Sequence, residues 1–455
     1  VIDQVERYLE AHRDEHLARL KDFLRIECVS TDPAKKPDMA RAAAWVRDGL
    51  TATGIEAEVI ETAGHPCVVG ESGPADGGPT VLIYGHYDVQ PTGDRTLWDS
   101  DPFAPSVRDG RIYARGAADD KGQVLTHLLA AEAWTKTVKK LPIRVKFLIE
   151  GEEEIGSPNL VPLIEKLRNR LACDYVAISD TAKFDAKTPA ITYGTKGLVY
   201  KEITVTGPSR DIHSGSFGGT VANPGNVLAA ILAGLKDARN RITIPSFYDE
   251  VAELSDAETK ELDRLPFDEA DYLQSLGSPA LDGEAGYSTL HRRWARPTLD
   301  VNGLYGGFIG EGSSTIIPAK CMAKVSMRVV PNQDPQRISE AFDAAVQAAA
   351  PPGVRVAVLT LALAAPYLCP IDSPGMQAAA GAVEAGFRTR PWFIREGGTL
   401  PILPGFKRIL GADSLMMGFC VPDCNAHGPN EFLVLDDFWA GLRTSAHLLD
   451  RMARI

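Results

Sequence analysis

Up to about residue 195, helical and strand patterns take turns along this chain; near Gly197 the alternation stops, and from about residue 366 it resumes. Strands read at "AEVIE", "CVVGE", "TVLIYG", residues 143–150 and "YVAIS". Helices read at 2–27, at 38–53 with Gly54 as a C-terminal stop, at 121–137, and after "GSPNL", where Pro158 suits a first turn. Such alternation predicts an α/β fold: a mixed, mostly parallel sheet with helices on both faces. Sites in sheets of this kind lie beyond the carboxyl ends of the strands.

The middle of the chain has another character. "GLVYKEITVTG", "AKCMAKVSMRVVP" and "GVRVAVLTLA" alternate like strands, while "NPGNVLAAILAGLKDA" and "DPQRISEAFDAAVQAAA" read as helices. This set predicts a small antiparallel sheet with helices on one face, an α+β module. Residues 240–300 are charged and irregular and read as a connecting excursion. The expected organisation is a first catalytic part at 1–197, an inserted module at 198–365, and a second catalytic part at 366–455. At 455 residues the chain is long enough for two cores.

Composition excludes some classes. A net charge of −12 without a basic stripe argues against nucleic acid. No apolar run approaches the ~20 residues of a membrane span. The first residues read as an amphipathic helix rather than a signal peptide. The cysteines are seven, odd in number and scattered, which argues against a disulfide framework and predicts a reducing, cytoplasmic setting.

Acids and histidines gather at predicted strand ends. "VLIYGHYDVQP" ends in His86 and Asp88, "RGAADDKG" carries Asp119 and Asp120, "EGEEEIGS" carries Glu153 and Glu154, and "YVAISD" ends in Asp180. His427 lies far downstream in "CNAHGPNE". Singly, each has a bland reading: a structural H-x-D pair, a helix start, a solvated acidic face, a helix cap, a loop histidine. Together, at neighbouring strand ends, they form a crowd of carboxylates that needs counter-charge. Two divalent cations would supply it, and imidazole with carboxylate suits zinc first, then manganese or cobalt.

The motifs "YGHYDVQP", "WDSDPF", "RGAADDKG", "EGEEEIGS", "ISD", "ITYGTKG", "RDIHSGSFGG", "REGGTLP" and "AHGPNE" span nearly the whole chain in order. The chain thereby resembles the metallopeptidase M20 family, most of all its carnosinase-like dipeptidases. The resemblance implies a zinc-exopeptidase-like fold and a two-metal centre. Asp119 would bridge the ions, His86 and Asp180 would complete one site, and Glu154 and His427 the other. It implies a cis peptide at Asp119–Asp120, Asp88 orienting His86, and Glu153 as general base. Glu150 and Glu152 are expected outside the ligand set, solvated or paired at the sheet edge.

The resemblance also implies that the inserted module is lid and dimerisation surface, with His213 reaching a partner subunit's site in a homodimer to stabilise the oxyanion. Arg328, helped by Thr315, Gly398 and Thr399, would bind the substrate's carboxylate. Members acting on dipeptides with a free amine tend to carry Asp where this chain has Asp180, and carboxypeptidase- and deacylase-like members Glu. The expected function is metal-dependent hydrolysis of a dipeptide or other small amide. An N-acyl-amino-acid deacylase or desuccinylase is the runner-up, and a catalytically silent metal-binding or interaction protein is the reading from another class.

Overall fold

The computed structural model describes residues 1–73, 75 and 77–455. Two compact units emerge. One comprises Val1–Tyr193, Cys369–Ile394 and Ile402–Ile455, and the other Gly194–Leu368 with Arg395–Pro401.

The first unit is built on a mixed sheet. Its strands follow in the order Glu56–Ile60, Cys67–Glu71, Val145–Glu150, Val81–His86, Tyr175–Ile178, Asp413–Met417 and Ala190–Thr195. The central pairs are parallel: Val81–His86 with Val145–Glu150 and with Tyr175–Ile178, and Tyr175–Ile178 with Asp413–Met417. The flanking pairs are antiparallel. Every residue of Val81–His86 and of Val145–Glu150 is buried, as expected of strands covered on both faces. Register decides the site: His86 lies opposite Glu150, and Tyr84 opposite both Leu148 and Ile178. All three strands therefore end on one edge, with Asp180 two residues beyond the last.

Helix Lys121–Val138 is buried throughout from Lys121 to Trp134. The helix is enclosed, its buried polar groups being satisfied inside, and Trp134 Nε1 donates to the Ala446 carbonyl of helix Leu435–Met452 at 3.1 Å. The same helix carries His127, whose Nε2 lies 2.7 Å from Ser179 Oγ. Burial holds this imidazole down to about 4. The folded chain thus favours the neutral ring, whereas the unfolded chain protonates it near ~6.5. The stability this adds is complete above ~6.5 and is lost as pH falls toward 4, roughly 3 kcal/mol in all. In urea unfolding at about pH 7 and pH 4, His127→Gln is expected to lose about 3 kcal/mol less than the parent. Equal losses would contradict this account.

Local structure departs from the expected elements at several points. The first helix is two, Ile2–Ala11 and Arg13–Leu24. His12 between them leaves helical geometry at φ −110°, ψ 20°, with Nδ1 turned back to the Tyr8 carbonyl at 2.8 Å. Pro158 precedes its helix, which runs Leu160–Lys166. The segment before it is taken up by a 3₁₀ turn at Glu153–Ile155, closed by Ser157 N–H on the Glu152 carbonyl.

In the second unit four strands pair antiparallel in the order Thr298–Gly306, Lys320–Val329, Gly197–Thr206 and Arg355–Ala364. Helices Pro224–Gly234 and Pro335–Ala348 start at side-chain caps Asn223 and Asp334, each followed by proline. They pack Leu228, Ile231 and Phe342 onto Val199, Val325 and Met327 of the sheet. The charged stretch 240–300 holds three short helices, Asp256–Asp263, Glu269–Leu276 and Thr289–Trp294, the first opened by a Ser255/Glu258 capping box. Strand Thr298–Gly306 is an element that the sequence pattern missed. Its burial does not alternate cleanly, since much of it is exposed.

Candidate metal centre

At the carboxyl edge of the first unit's sheet, two groups of possible ligands share one residue. His86, Asp119 and Asp180 form one, and Asp119, Glu154 and His427 the other; within each group the ligand atoms lie within 4.8 Å of one another. Asp119 divides its oxygens between them. Oδ1 is 3.1 Å from His86 Nε2, and Oδ2 is 2.9 Å from His427 Nε2. Asp180 Oδ2 is 3.7 Å from His86 Nε2, and Glu154 Oε2 is 3.2 Å from His427 Nε2.

The backbone explains the convergence. His86 ends a central strand, and Asp119 precedes helix Lys121–Val138 across a cis peptide to Asp120. Glu153 and Glu154 ride the 3₁₀ turn after Glu150. His427 sits in a loop in left-handed geometry, φ 63°. Gly85 lets helix and strand approach: a Cβ there would meet Asp120 Oδ2 at 2.6 Å and a Val124 methyl at 2.7 Å. Asp120 itself turns away, its Oδ2 accepting from His86 N–H at 3.2 Å. The lysine of "DDKG" is fully buried, with Nζ donating to the Ile26 carbonyl at 2.7 Å.

Asp88 is fully buried and acts on three residues. Its backbone carbonyl is 3.0 Å, and its Oδ1 3.3 Å, from His86 Nδ1. Oδ1 also accepts from Glu153 N–H, and Oδ2 from Glu154 N–H, each at 3.2 Å. Asp88 therefore aims the far nitrogen of His86 into the cluster while holding the turn that carries both glutamates. An imidazole with one nitrogen anchored and the other facing carboxylates is the arrangement of a metal ligand, and the donor set fits a divalent cation of zinc type.

The charges press in the same direction. Burial opposes ionisation of Asp119, yet the hydrogen bonds from His427 and His86 outweigh it and hold its carboxyl below the usual range. Hydrogen bonds to Asp119 and Glu154 lift His427 to about 10. Burial, then the negative charge of Asp119, drives Asp180 well up. Burial also raises Glu153 to about 7; His86 counteracts it, and Asp119, Glu154 and Asp88 add to it. A basket that recruits protons this strongly is short of positive charge.

Glu150 and Glu152 stand outside both groups, and neither is solvated. Glu150 is buried, accepting from Tyr84 Oη at 2.6 Å and Ser157 Oγ at 2.9 Å, and burial pushes it up to about 8. Glu152 is buried against His65 N–H at 2.9 Å and Asn159 Nδ2. Tyr84, one strand over, supplies the donor for Glu150, and His65 N–H and Asn159 supply those for Glu152, none of which the sequence pattern reveals. Two further residues were missed. Gln90 Nε2 donates to Glu154 Oε2 at 2.9 Å, and Glu431 underlies Asp119. Both lie inside the motifs "YGHYDVQP" and "AHGPNE", a few residues from His86 and His427.

In the second unit the remaining residues fall into two groups. His213 pairs with Ile316 across a short antiparallel bridge, and Ser214 N–H donates to the Thr315 carbonyl at 2.9 Å. His213 is exposed, its Nδ1 accepting from Ser216 N–H at 3.1 Å. Arg328 Nη1 donates to Thr399 Oγ1 at 2.9 Å, and Thr399 Oγ1 donates to the Lys196 carbonyl at 2.7 Å. Gly398 is exposed, with open space where a Cβ would stand.

Residues 82–451 match peptidase family M20/M25/M40. The Cys-Gly metallodipeptidase dug1 of Schizosaccharomyces pombe is 33% identical, over 100% of this chain and 99% of the relative. The human Beta-Ala-His dipeptidase is 30% identical, over 100% and 93%. Among solved structures, human carnosine dipeptidase 1 superposes with a TM-score of 0.79 at 30% identity, covering 100% of this chain and 99% of that one. The M20 family metallo-carboxypeptidase Sso-CP2 of Sulfolobus solfataricus gives 0.82 at 32%, covering 97% and 100%. With its mixed α/β sheet, its paired ligand groups and this match over most of its length, the chain belongs to peptidase family M20/M25/M40, a family of hydrolases.

Proposed function

We propose that this hydrolase cleaves the amide bond of dipeptides at a centre of two divalent cations. The observation that carries the reading is Asp119, one carboxylate facing two histidine–carboxylate groups. His86, Asp119 and Asp180 would hold one ion, and Asp119, Glu154 and His427 the other, zinc first, with manganese or cobalt as substitutes. Bound there, the cations would polarise the scissile carbonyl and acidify the attacking water.

The chain's own residues do the rest. Glu153 takes the proton from the water and later delivers it to the departing amine. Burial in this acidic surrounding raises its carboxyl in the chain alone, and cations bound beside it would draw it back toward the ordinary range, leaving it ionised to accept the proton. Asp88 keeps His86 and the Glu153–Glu154 turn in register with each other. Arg328, braced by Thr399, receives the substrate's carboxylate, and Thr315 and the open backbone at Gly398 are assigned as its helpers. His213 donates to the oxyanion from a second copy of the chain. Apolar side chains left exposed on the second unit, Leu304, Tyr305 and Leu359, support such a homodimer through a lid and dimerisation module. All seven cysteines are free, which fits a cytoplasmic address. Among the described residues, no helix is long and apolar enough to cross a membrane.

The names of the relatives, metallodipeptidase, dipeptidase and metallo-carboxypeptidase, make short peptides with a free carboxyl end the first substrates to try. The test is a panel: free dipeptides, the same dipeptides amidated at the carboxyl end, longer peptides, and N-acetyl and N-succinyl amino acids. Free dipeptides are expected to be turned over best. Arg328→Met is expected to raise KM for them by roughly ten- to a hundred-fold, the loss of a charge-assisted pair, while leaving the amidated dipeptides nearly unchanged. Preference for the acylated amino acids would replace this reading with the deacylase.

A further inference from the structure

The turn that delivers Asp119 is held by one buried carboxylate that the proposed chemistry does not use. Glu431 is fully buried. Its Oε1 accepts from Ala118 N–H at 2.9 Å and Asp119 N–H at 3.1 Å. Its Oε2 accepts from Gly116 N–H at 2.9 Å and from Arg115 Nη1 at 2.7 Å. Its own backbone carbonyl accepts from Ala114 N–H at 3.1 Å. The next residues, Phe432–Val434, pair antiparallel with Arg111–Tyr113, so the strand register fixes where Glu431 enters.

A carboxylate offers about four acceptor positions, and here all are filled. An ion pair kept only for folding would need Arg115 alone. Three of the four donors are instead backbone amides of residues 116, 118 and 119, the run that ends at the shared ligand. The same loop also carries His427, whose Nε2 touches the Asp119 carboxylate. Residues 427 and 431 thus act on Asp119 from its two ends.

We infer that Glu431 is a positioning residue, gripping the backbone of 116–119 so that Asp119 presents one oxygen to each ligand group, and thereby setting the affinity for both cations. This rests on the reading of Asp119 as their shared ligand. Without the Glu431 carboxylate, three amides must find other partners and the turn loses its fixed course. The loss falls on both ions together, unlike the loss of a ligand that serves one.

The test is zinc affinity by competition with a chromophoric chelator, alongside amide hydrogen exchange and thermal unfolding of the full chain. Glu431→Gln replaces an acceptor by an amide that faces N–H donors. It is expected to weaken both zinc sites by roughly ten- to a hundred-fold and to speed exchange at 116, 118 and 119. Glu431→Asp, which keeps the charge but retreats by one methylene, is expected to fall between. Glu132→Gln, which weakens a half-buried pair with Arg19 in the same unit, serves as a stability control and is expected to stay within two-fold of the parent. Folded Glu431→Gln with both affinities within two-fold of the parent overturns the inference, as does an equal loss in Glu132→Gln. Should Glu431→Gln not fold, Glu431→Asp decides on the same criterion. If Asp119→Asn also binds two zinc ions normally, the shared-ligand reading falls with it; if only Glu431→Gln does, that reading stands and this inference alone fails.

Discussion

Glu153→Gln is expected to keep its fold and its bound metal while kcat on a good dipeptide falls by roughly a hundred- to ten-thousand-fold, the range that a positioned general base contributes. Glutamine has the shape of glutamate but cannot accept the water's proton. The substitution leaves Asp88 untouched, because Asp88 holds residue 153 through its backbone N–H rather than its side chain. The neighbouring Glu154 cannot take over. Its Oε2 is engaged by Gln90 at 2.9 Å and faces His427 at 3.2 Å. Metal content and kcat measured on the same preparation settle the matter, and a metal-replete variant with near-parental kcat would remove Glu153 from the chemistry.

Asp119→Asn is expected to lose both ions and, with them, measurable hydrolysis. Asparagine offers one neutral oxygen where the parent offers two charged ones, aimed 3.1 Å from His86 Nε2 and 2.9 Å from His427 Nε2. Substituting a residue of one group alone should be milder. His427→Ala is expected to retain the ion at His86, Asp119 and Asp180, with about one metal bound per chain. Metal analysis after gel filtration distinguishes the patterns. Two ions retained by Asp119→Asn would show that the groups do not depend on a common carboxylate. In the chain alone, the carboxylates that His427 faces lift it to about 10, so Asp119→Asn removes part of the negative charge that a bound cation would otherwise offset.

How much of this was legible beforehand varies by residue. Strand ends and loop motifs gathered His86, Asp88, Asp119, Asp120, Glu153, Glu154, Asp180 and His427, and the family resemblance narrowed them to His86, Asp119, Glu154, Asp180 and His427. Glu150 and Glu152 could not be placed. Their neighbours in sequence are all acidic, and only Tyr84, Ser157, His65 and Asn159, from other segments, show that they are buried and satisfied. Glu431 was invisible for a related reason. Its partners are backbone amides more than three hundred residues earlier, and backbone groups leave no mark in a residue pattern. The break at His12 and the late start of the helix after Pro158 are local, yet a hydrogen bond to Tyr8 and a 3₁₀ turn decided them, not propensity.

By itself, the sequence determined the kind of fold and marked the acids and histidines that the fold brings together. Burial on two faces forces apolar strand runs, and acids at strand ends stand out against that background. Only the tertiary structure decided the pairings: the parallel register that sets His86 level with Glu150, the two directions of the Asp119 carboxylate, and the grip of Glu431 beneath it. Those depend on which distant segments become neighbours, and hydrogen bonds of fixed length and direction form only after packing has brought them together.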